Sequence, residues 1–176
     1  TCMAVLPSEQ EGKEKGANRS LGDFGYFDSF SFSVWIHPDP NCDGTILSKM
    51  SDTPQGDGYA VQIVEGRLQV NLVKRWLDDA LRVETEDKIA TNSWHHVAVI
   101  YDGSRVSRGV TVYLDGVPQR MRVNLDALNQ TFANTEPLRV GGGGGDAMRF
   151  RGKIDEVRIY DRVTVSYTHL TLPTKA

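Results

Sequence analysis

Residues Asn92–Gly116 read NSWHHVAVIYDGSRVSRGVTVYLDG and contain two β-type runs, each followed by an Asp-Gly pair. The first run, Trp94–Tyr101, is rich in aromatic and β-branched residues, and the second, Val110–Leu114, has the same character. Alternate residues of the first run face opposite sides, and both sides are largely apolar, which is typical of a central strand packed on both faces. Asp115-Gly116 has the residue types that a two-residue hairpin turn needs at positive φ. This stretch therefore predicts neighbouring antiparallel strands inside a β-sandwich.

Further strands are predicted on both sides of this stretch by apolar residues at every second position. They span Phe30–Ile36, Thr45–Lys49, Tyr59–Val64, Arg67–Val73, Ala80–Glu84, Leu138–Val140 and Phe150–Tyr160, with a weaker strand around Val123 and Leu125. Tyr59–Val73 is the clearest hairpin, because its two runs flank Glu65-Gly66. In the last strand the alternation breaks at Asp155-Glu156, which predicts a β-bulge there.

Three segments carry a resemblance to a known family. They are WHHVAVIYDGS, GVTVYLDG and GKIDEVRIYDR, in that order. Together they resemble the laminin-G-like, concanavalin A-like lectin/glucanase domain of many secreted bacterial proteins, over about residues 22–162. The resemblance implies an all-β fold, a two-sheet antiparallel jelly-roll sandwich. FSFSVWIHP and RWLDDALRVET are more specifically similar to the version embedded in large exported bacterial proteins that also carry cytochrome c domains.

We divide the chain into residues 1–21, a linker or partial first strand, residues 22–162, the jelly-roll domain, and residues 163–176, a tail. The tail sequence VSYTHLTLPTKA resembles a sequencing-adapter read-through at the end of a metagenomic fragment; the alternative is a genuine terminal strand, because small polar residues alternate there with larger ones. Because the chain opens on Thr1, we expect it to be part of a longer exported protein. We expect that protein to be located in the periplasm, at the cell surface or outside the cell.

Composition excludes several partner classes. The 176 residues carry a formal net charge of −3, with 20 basic and 23 acidic side chains, which gives no electrostatic case for binding nucleic acid or an anionic membrane. No run of about 18 apolar residues is present, so we expect no membrane insertion. The only cysteines, Cys2 and Cys42, allow at most one disulfide.

Three motifs resemble phosphate-binding, metal-binding or catalytic sites, and for each we favour a purely structural role. Gly141–Gly145 lacks the Lys and Ser or Thr of a phosphate-binding loop, so we interpret it as a flexible connection between sheets. His95 and His96 are adjacent strand residues that point to opposite faces, and we expect hydrogen-bonded structural roles rather than a shared metal. Glycan-cleaving sandwiches need two carboxylates across the scissile bond, whereas the nearest candidates here, Asp155 and Glu156, are adjacent and diverge. We therefore predict no enzymatic activity.

Calcium is the one cofactor that remains open, because relatives of this jelly roll often bind it. Ca²⁺ requires several oxygen ligands that converge on one point. The candidate carboxylates in predicted loops are Asp43, Asp52, Asp57, Asp78, Asp79 and Asp146.

The predicted ligand-binding residues are Trp76, Asp78, Asp79 and Arg82. Trp76 is the only tryptophan in a polar connection, whereas Trp35 and Trp94 lie in strong strand patterns and are assigned to the core. Sugar-binding sandwiches use aromatic rings against pyranose faces, flanked by a few polar groups. The alternative for Trp76 is an ordinary half-buried residue at the rim of the domain.

We expect a non-catalytic recognition module that binds a carbohydrate or a protein surface and contacts other domains of its parent chain. This step depends on the resemblance, since fold alone does not imply function. The alternatives are a structural spacer packed on neighbouring domains and, less favoured, a glycan-cleaving enzyme.

Overall fold

The computed structural model describes residues 20–163. Most of the predicted linker and tail, together with Cys2, lie outside the described residues. Cys42 is a buried free thiol, and its Sγ accepts a hydrogen bond from the backbone N–H of Arg151 at 3.3 Å.

The described residues form an all-β, two-sheet antiparallel sandwich, as the sequence predicts. The strands are β1 Phe30–Pro38, β2 Gly44–Met50, β3 Gly58–Val64, β4 Arg67–Arg75, β5 Asp79–Thr85, β6 His95–Tyr101, β7 Val110–Leu114, β8 Val117–Pro118, β9 Met121–Asp126, β10 Arg139–Val140 and β11 Gly152–Tyr160. Two short 3-10 helices span Ser107–Gly109 and Asp146–Met148. One sheet has the order β11-β1-β6-β7-β8 and the other β10-β2-β3-β4-β5-β9.

The two predicted hairpins have the expected turns and register. Asp115 and Gly116 have φ of 51° and 81°, so both residues of the β7–β8 turn occupy the left-handed region. In the β3–β4 hairpin Tyr59 pairs with Leu72 and Ile63 pairs with Leu68, which aligns the apolar faces of the two strands.

The β-bulge predicted at Asp155-Glu156 is confirmed. Ser33 of β1 pairs with Arg158, but Trp35 pairs with Asp155, so β11 has one extra residue at this point. Glu156 has a φ of 51° and its backbone N–H donates to Oδ1 of Asp155 at 2.8 Å. The extra residue brings the apolar side chains on both sides of the break back to one face.

The hydrophobic core fills the space between the sheets. Its inward side chains come from alternate positions of the central strands, namely Phe30, Phe32, Val34, Ile36, Tyr59, Val61, Ile63, Leu68, Val70, Leu72, Leu81, Val83, Val97, Val99 and Tyr101. Phe132, in the connection after β9, is 1% exposed and packs edge-on against Tyr59 with ring centroids 6.1 Å apart. Burying a phenylalanine contributes about 1.5–3 kcal/mol, so this connection is part of the core, although the sequence showed no strand pattern there.

Of the two tryptophans assigned to the core, Trp35 is buried but lies outside the cluster between the sheets, and Trp94 is only half-buried. Trp35 is 8% exposed but alternates with the inward residues Val34 and Ile36, so it is buried on the outer face of the five-stranded sheet, edge-on to His96. Trp94 is half-buried just before β6 and packs edge-on against His37. The prediction treated strong strand patterns as core, but alternation alone does not distinguish the inner face from a covered outer face.

Candidate functional site

A cleft of about 400 Å³ lies on the outer face of the six-stranded sheet. Its floor is formed by outward side chains of β3, β4 and β5, and Trp76 from the β4–β5 turn closes one end. Two loops form the walls, one at residues 54–56 and the other carrying Gly144, Ala147 and Met148. The cleft therefore combines a rigid sheet surface with loops from distant parts of the chain.

Three amide side chains form the polar floor. Gln62 on β3 pairs with Gln69 on β4, and Asn71 lies two residues further along β4 on the same face. Nε2 of Gln62 donates to Oγ1 of Thr45 at 2.9 Å, and Nδ2 of Asn71 donates to Oε1 of Gln62 at 3.1 Å. These bonds fix the orientation of the amides and leave Oδ1 of Asn71 buried without a hydrogen-bond partner.

Trp76 and Arg82, two of the four predicted site residues, meet at the end of this floor. Cζ of Arg82 lies 4.2 Å from the centroid of the Trp76 ring, a cation–π distance. Arg82 pairs across strands with Asn71, so the two side chains emerge side by side. The Nε of Arg82 is buried without a partner, and burial lowers the pKa of its guanidinium.

The other two predicted residues, Asp78 and Asp79, point away from the cleft. Asp78 is exposed and accepts a hydrogen bond from Nε of Arg75 at 2.9 Å. Asp79 is 1% exposed, and its Oδ1 accepts from the backbone N–H groups of Asn129 at 2.7 Å and Gln130 at 3.1 Å. Asp79 thus ties the connection after β9 to the sheet.

Glu84 accepts hydrogen bonds from side chains at one edge of the floor. Its Oε1 accepts from Nε of Arg122 at 2.8 Å, and its Oε2 accepts from Gln69 at 2.8 Å and Asn124 at 3.2 Å. Burial raises the pKa of Glu84, but the hydrogen bonds from Arg122, Asn124 and Gln69 outweigh it and hold the pKa below its usual range. Both carboxylate oxygens are therefore already engaged.

The five-glycine segment, predicted as a flexible connection, joins β10 in one sheet to β11 in the other and packs closely against β2. The carbonyl of Gly142 accepts from Oγ of Ser48 and that of Gly143 from Oγ1 of Thr45, both at 2.7 Å. The N–H of Gly145 donates to Oδ1 of Asp52 at 3.0 Å. Glycine is required here because a side chain on Gly143 would overlap Ser48. The segment is a hydrogen-bonded wall of the cleft.

The six candidate calcium ligands do not converge on one point among the described residues. Asp52 already binds the backbone of Gly145, and its Oδ2 pairs with Arg149 at 3.0 Å; Asp57 accepts from Ser51, and Asp78 and Asp79 are engaged as described. Within residues 20–163 no three His, Cys, Asp or Glu side chains come together as metal ligands would.

The paired histidines have separate structural contacts. Nδ1 of His95 lies 2.7 Å from Oδ2 of Asp115, and its Nε2 lies 2.9 Å from Oγ of Ser93. His96 packs against Trp35 on the other side of the strand, and its backbone N–H donates to Oδ1 of Asp115 at 2.8 Å. Asp115 therefore ties the β7–β8 turn to the start of β6, which agrees with the predicted structural role of this pair.

The amides of the floor were not predicted from the sequence. Gln62 and Asn71 are 7% and 2% exposed, although they occupy the solvent side of a sandwich strand. One signal was present: Gln62, Gln69 and Asn71 are uncharged amides where outward strand positions more often carry charges.

Comparisons with known proteins agree on the fold. A family model described as the concanavalin A-like lectin/glucanases superfamily matches residues 12–166. A curated relative, Adhesion G-protein coupled receptor V1 of Danio rerio, is 27% identical over 141 residues, which are 75% of this chain and 2% of the receptor. The chain thus spans only a small part of that relative.

Two solved structures have the same jelly-roll architecture. A putative carbohydrate binding protein from Bacteroides ovatus is 20% identical, with a TM-score of 0.55 over 82% of this chain and 40% of that chain. The CBM40 of the Ruminococcus gnavus IT-sialidase, bound to alpha2,3 sialyllactose, is 14% identical, with a TM-score of 0.60 over 78% of each chain. Within residues 20–163 the structure contains no helix with the length and apolar character needed to cross a membrane.

Proposed function

Because the chain belongs to the concanavalin A-like lectin/glucanases superfamily, we propose that it is a non-catalytic recognition module that binds a carbohydrate in the cleft above β3, β4 and β5. The observation that carries the proposal is the floor itself, where oriented amides lie beside a tryptophan and an arginine.

The chemistry of the floor suits a sugar. A pyranose has an apolar C–H face, which packs on an indole ring, and hydroxyl groups, which need donors and acceptors at fixed positions. Trp76 supplies the ring, and Gln62 and Asn71 supply amide groups whose orientation the hydrogen bonds fix. The volume of about 400 Å³ lies within the range of small-molecule sites.

Recognition without cleavage is favoured by the groups that the cleft presents. Hydrolysis of a glycosidic bond uses two free carboxylates about 5 to 9.5 Å apart. The carboxylate next to Arg82 on β5 is Glu84, and both of its oxygens are engaged by neighbouring side chains. Asp155 and Glu156 lie on β11, at the edge of the other sheet.

We also propose that the module works as part of a larger exported protein. The curated receptor that it resembles is far longer than this chain. Two of the structural neighbours are described as a putative carbohydrate binding protein and as a CBM40 bound to alpha2,3 sialyllactose. By binding a glycan the module would hold its parent at a surface. Any redox chemistry of cytochrome c domains would belong to other parts of such a parent.

The test is binding of the full chain to a glycan array, once with calcium and once with a chelator, comparing wild type with Trp76→Ala. We expect binding that is independent of calcium and that Trp76→Ala weakens at least about tenfold, because the aromatic platform is lost. Leu77→Ala is the matched control, since Leu77 is 83% exposed in the same turn and does not line the cleft. Undiminished glycan binding by Trp76→Ala, or no glycan binding by the wild type, would contradict the proposal and favour a protein-contact or spacer role.

A further inference from the structure

We propose that the carbohydrate bound by this cleft is acidic, with a carboxylate or sulfate group that pairs with the guanidinium of Arg82. This rests on the proposed carbohydrate-binding function and narrows its ligand class.

Arg82 is a cation without a counter-ion among the described residues. Three other arginines of the same sheet have carboxylate partners, whereas Nε of Arg67 donates to the backbone carbonyl of Glu86 at 3.3 Å. Arg122 pairs with Glu84, and Arg139 pairs with Glu136 at 2.8 Å. Arg75, at the end of β4, pairs with Asp78. Glu84, on the same face of β5 as Arg82, is engaged by Arg122, Gln69 and Asn124. The positive charge of Arg82 therefore remains available in the cleft.

The contact with Trp76 leaves the guanidinium suited to an oxyanion. With its Cζ 4.2 Å from the ring centroid, Arg82 has one side covered by the indole. The N–H groups of a guanidinium lie in its own plane, where they can meet two oxygens of a carboxylate or sulfate at once. Its Nε is buried without a partner in the protein, so an oxyanion in the cleft would meet the terminal N–H groups of the guanidinium.

The adjacent acceptor favours a sugar acid over a simple inorganic anion. Oδ1 of Asn71 is buried and unpartnered, and Asn71 is the cross-strand neighbour of Arg82. An unsatisfied acceptor is stabilised by a donor such as a sugar hydroxyl, while the guanidinium is stabilised by an acceptor. An acidic saccharide offers both groups on one ring.

The experiment compares acidic glycans with neutralised copies of themselves. The full chain is tested on sialylated, uronic acid-containing and sulfated oligosaccharides, on their methyl-esterified or desulfated counterparts, and on neutral glycans. The variants are Arg82→Gln, Arg82→Lys and, as matched control, Arg75→Gln, which removes the same charge from the end of β4 but not from the cleft lining. Thermal unfolding of each variant verifies that it is folded.

We expect acidic glycans to bind and their neutralised copies to bind about ten- to a hundredfold more weakly, the range for losing charge-assisted hydrogen bonds. Arg82→Gln should show the same loss, Arg82→Lys an intermediate one because lysine lacks the planar fork, and Arg75→Gln none. Loss on esterification identifies a carboxylate, and loss on desulfation identifies a sulfate.

Binding of neutral glycans that needs Trp76 but tolerates Arg82→Gln would overturn the acidic ligand and leave the carbohydrate-binding function intact. Binding that does not change when the acidic group of the glycan is esterified or removed would also overturn the acidic ligand and leave the carbohydrate-binding function intact. No binding to any glycan would overturn both.

Discussion

Replacing Gly143 with alanine should destabilise the domain more than the same change at Gly145. Both glycines have positive φ, 114° and 90°, so alanine is strained at each, at a cost of about 1–3 kcal/mol. Only at Gly143 does the new Cβ meet the sheet, where it would overlap Oγ of Ser48 and lie 3.0 Å from its Cβ. At Gly145 the nearest atom is Cδ of Pro54, at an ordinary 3.4 Å.

The extra cost at Gly143 follows from the contact of Ser48. To make room, Ser48 must rotate its hydroxyl away and lose the 2.7 Å hydrogen bond to the carbonyl of Gly142. Leaving a buried acceptor without its partner costs about 1–3 kcal/mol. Gly143→Ala should therefore be less stable than Gly145→Ala by about 1–3 kcal/mol, and each kcal/mol lowers the Tm by about 2–4 °C in a chain of this size.

Urea unfolding of the two single variants, of Ser48→Ala and of the double variant Gly143→Ala/Ser48→Ala measures this difference. Because Ser48→Ala removes the overlapping oxygen in advance, the double variant should be more stable than the sum of the two single changes implies. Equal stability of the two glycine variants, or strict additivity in the double variant, would refute the reasoning that this loop is a packed wall.

Two further predictions concern hydrogen bonds at the edges of the sandwich. Tyr101→Phe should lower the free energy of unfolding by about 1–3 kcal/mol, because the Tyr101 hydroxyl donates to the carbonyl of Tyr26 at 2.6 Å and accepts from the N–H of Arg105 at 3.1 Å. A decrease of less than about 0.5 kcal/mol, measured by urea unfolding, would show that these two hydrogen bonds are dispensable. Glu84→Gln should make the free energy of unfolding less dependent on pH in the acidic range. The pKa of Glu84 in the folded protein lies below its ordinary value of 4.5, so its carboxylate stabilises the fold fully above pH 4.5 and loses that effect as the pH falls through the folded pKa. Unfolding curves at pH 5 and pH 3 that change equally in wild type and Glu84→Gln would contradict the pairing with Arg122.

Much of the fold could be predicted because alternation in strands has a direct physical cause. A one-residue slip moves a whole apolar set to the solvent side, so the pairing of Tyr59 with Leu72 was already specified by the pattern. The same reasoning located the bulge, since Ile154 and Val157 can share an apolar face only if one residue is extra between them. The burial of Phe132 could not be predicted, because its connection has no period from which to infer a face.

The site was only partly predictable because it is assembled from parts of the chain that are far apart. Trp76, Asp78 and Asp79 are close in sequence, yet the turn points their side chains in different directions. Asp79 accepts a hydrogen bond from the backbone N–H of Asn129. Whether an outward strand residue is exposed depends on loops such as the glycine segment, more than 70 residues beyond Gln62 in the sequence. Strand periodicity does not contain that information.

The two faces of strands β3, β4 and β5 separate the core from the proposed recognition site. The inward residues of these strands, including Val61 and Val70, are buried in the core, so changing them costs packing energy. Asn71 and Arg82 alternate with such residues but face the cleft, and each has a polar atom without a partner in the protein. A side chain that is incompletely hydrogen-bonded contributes less to stability than its burial suggests, while it remains able to bind a ligand. The unpartnered atoms therefore lie in the proposed ligand site and outside the hydrophobic core.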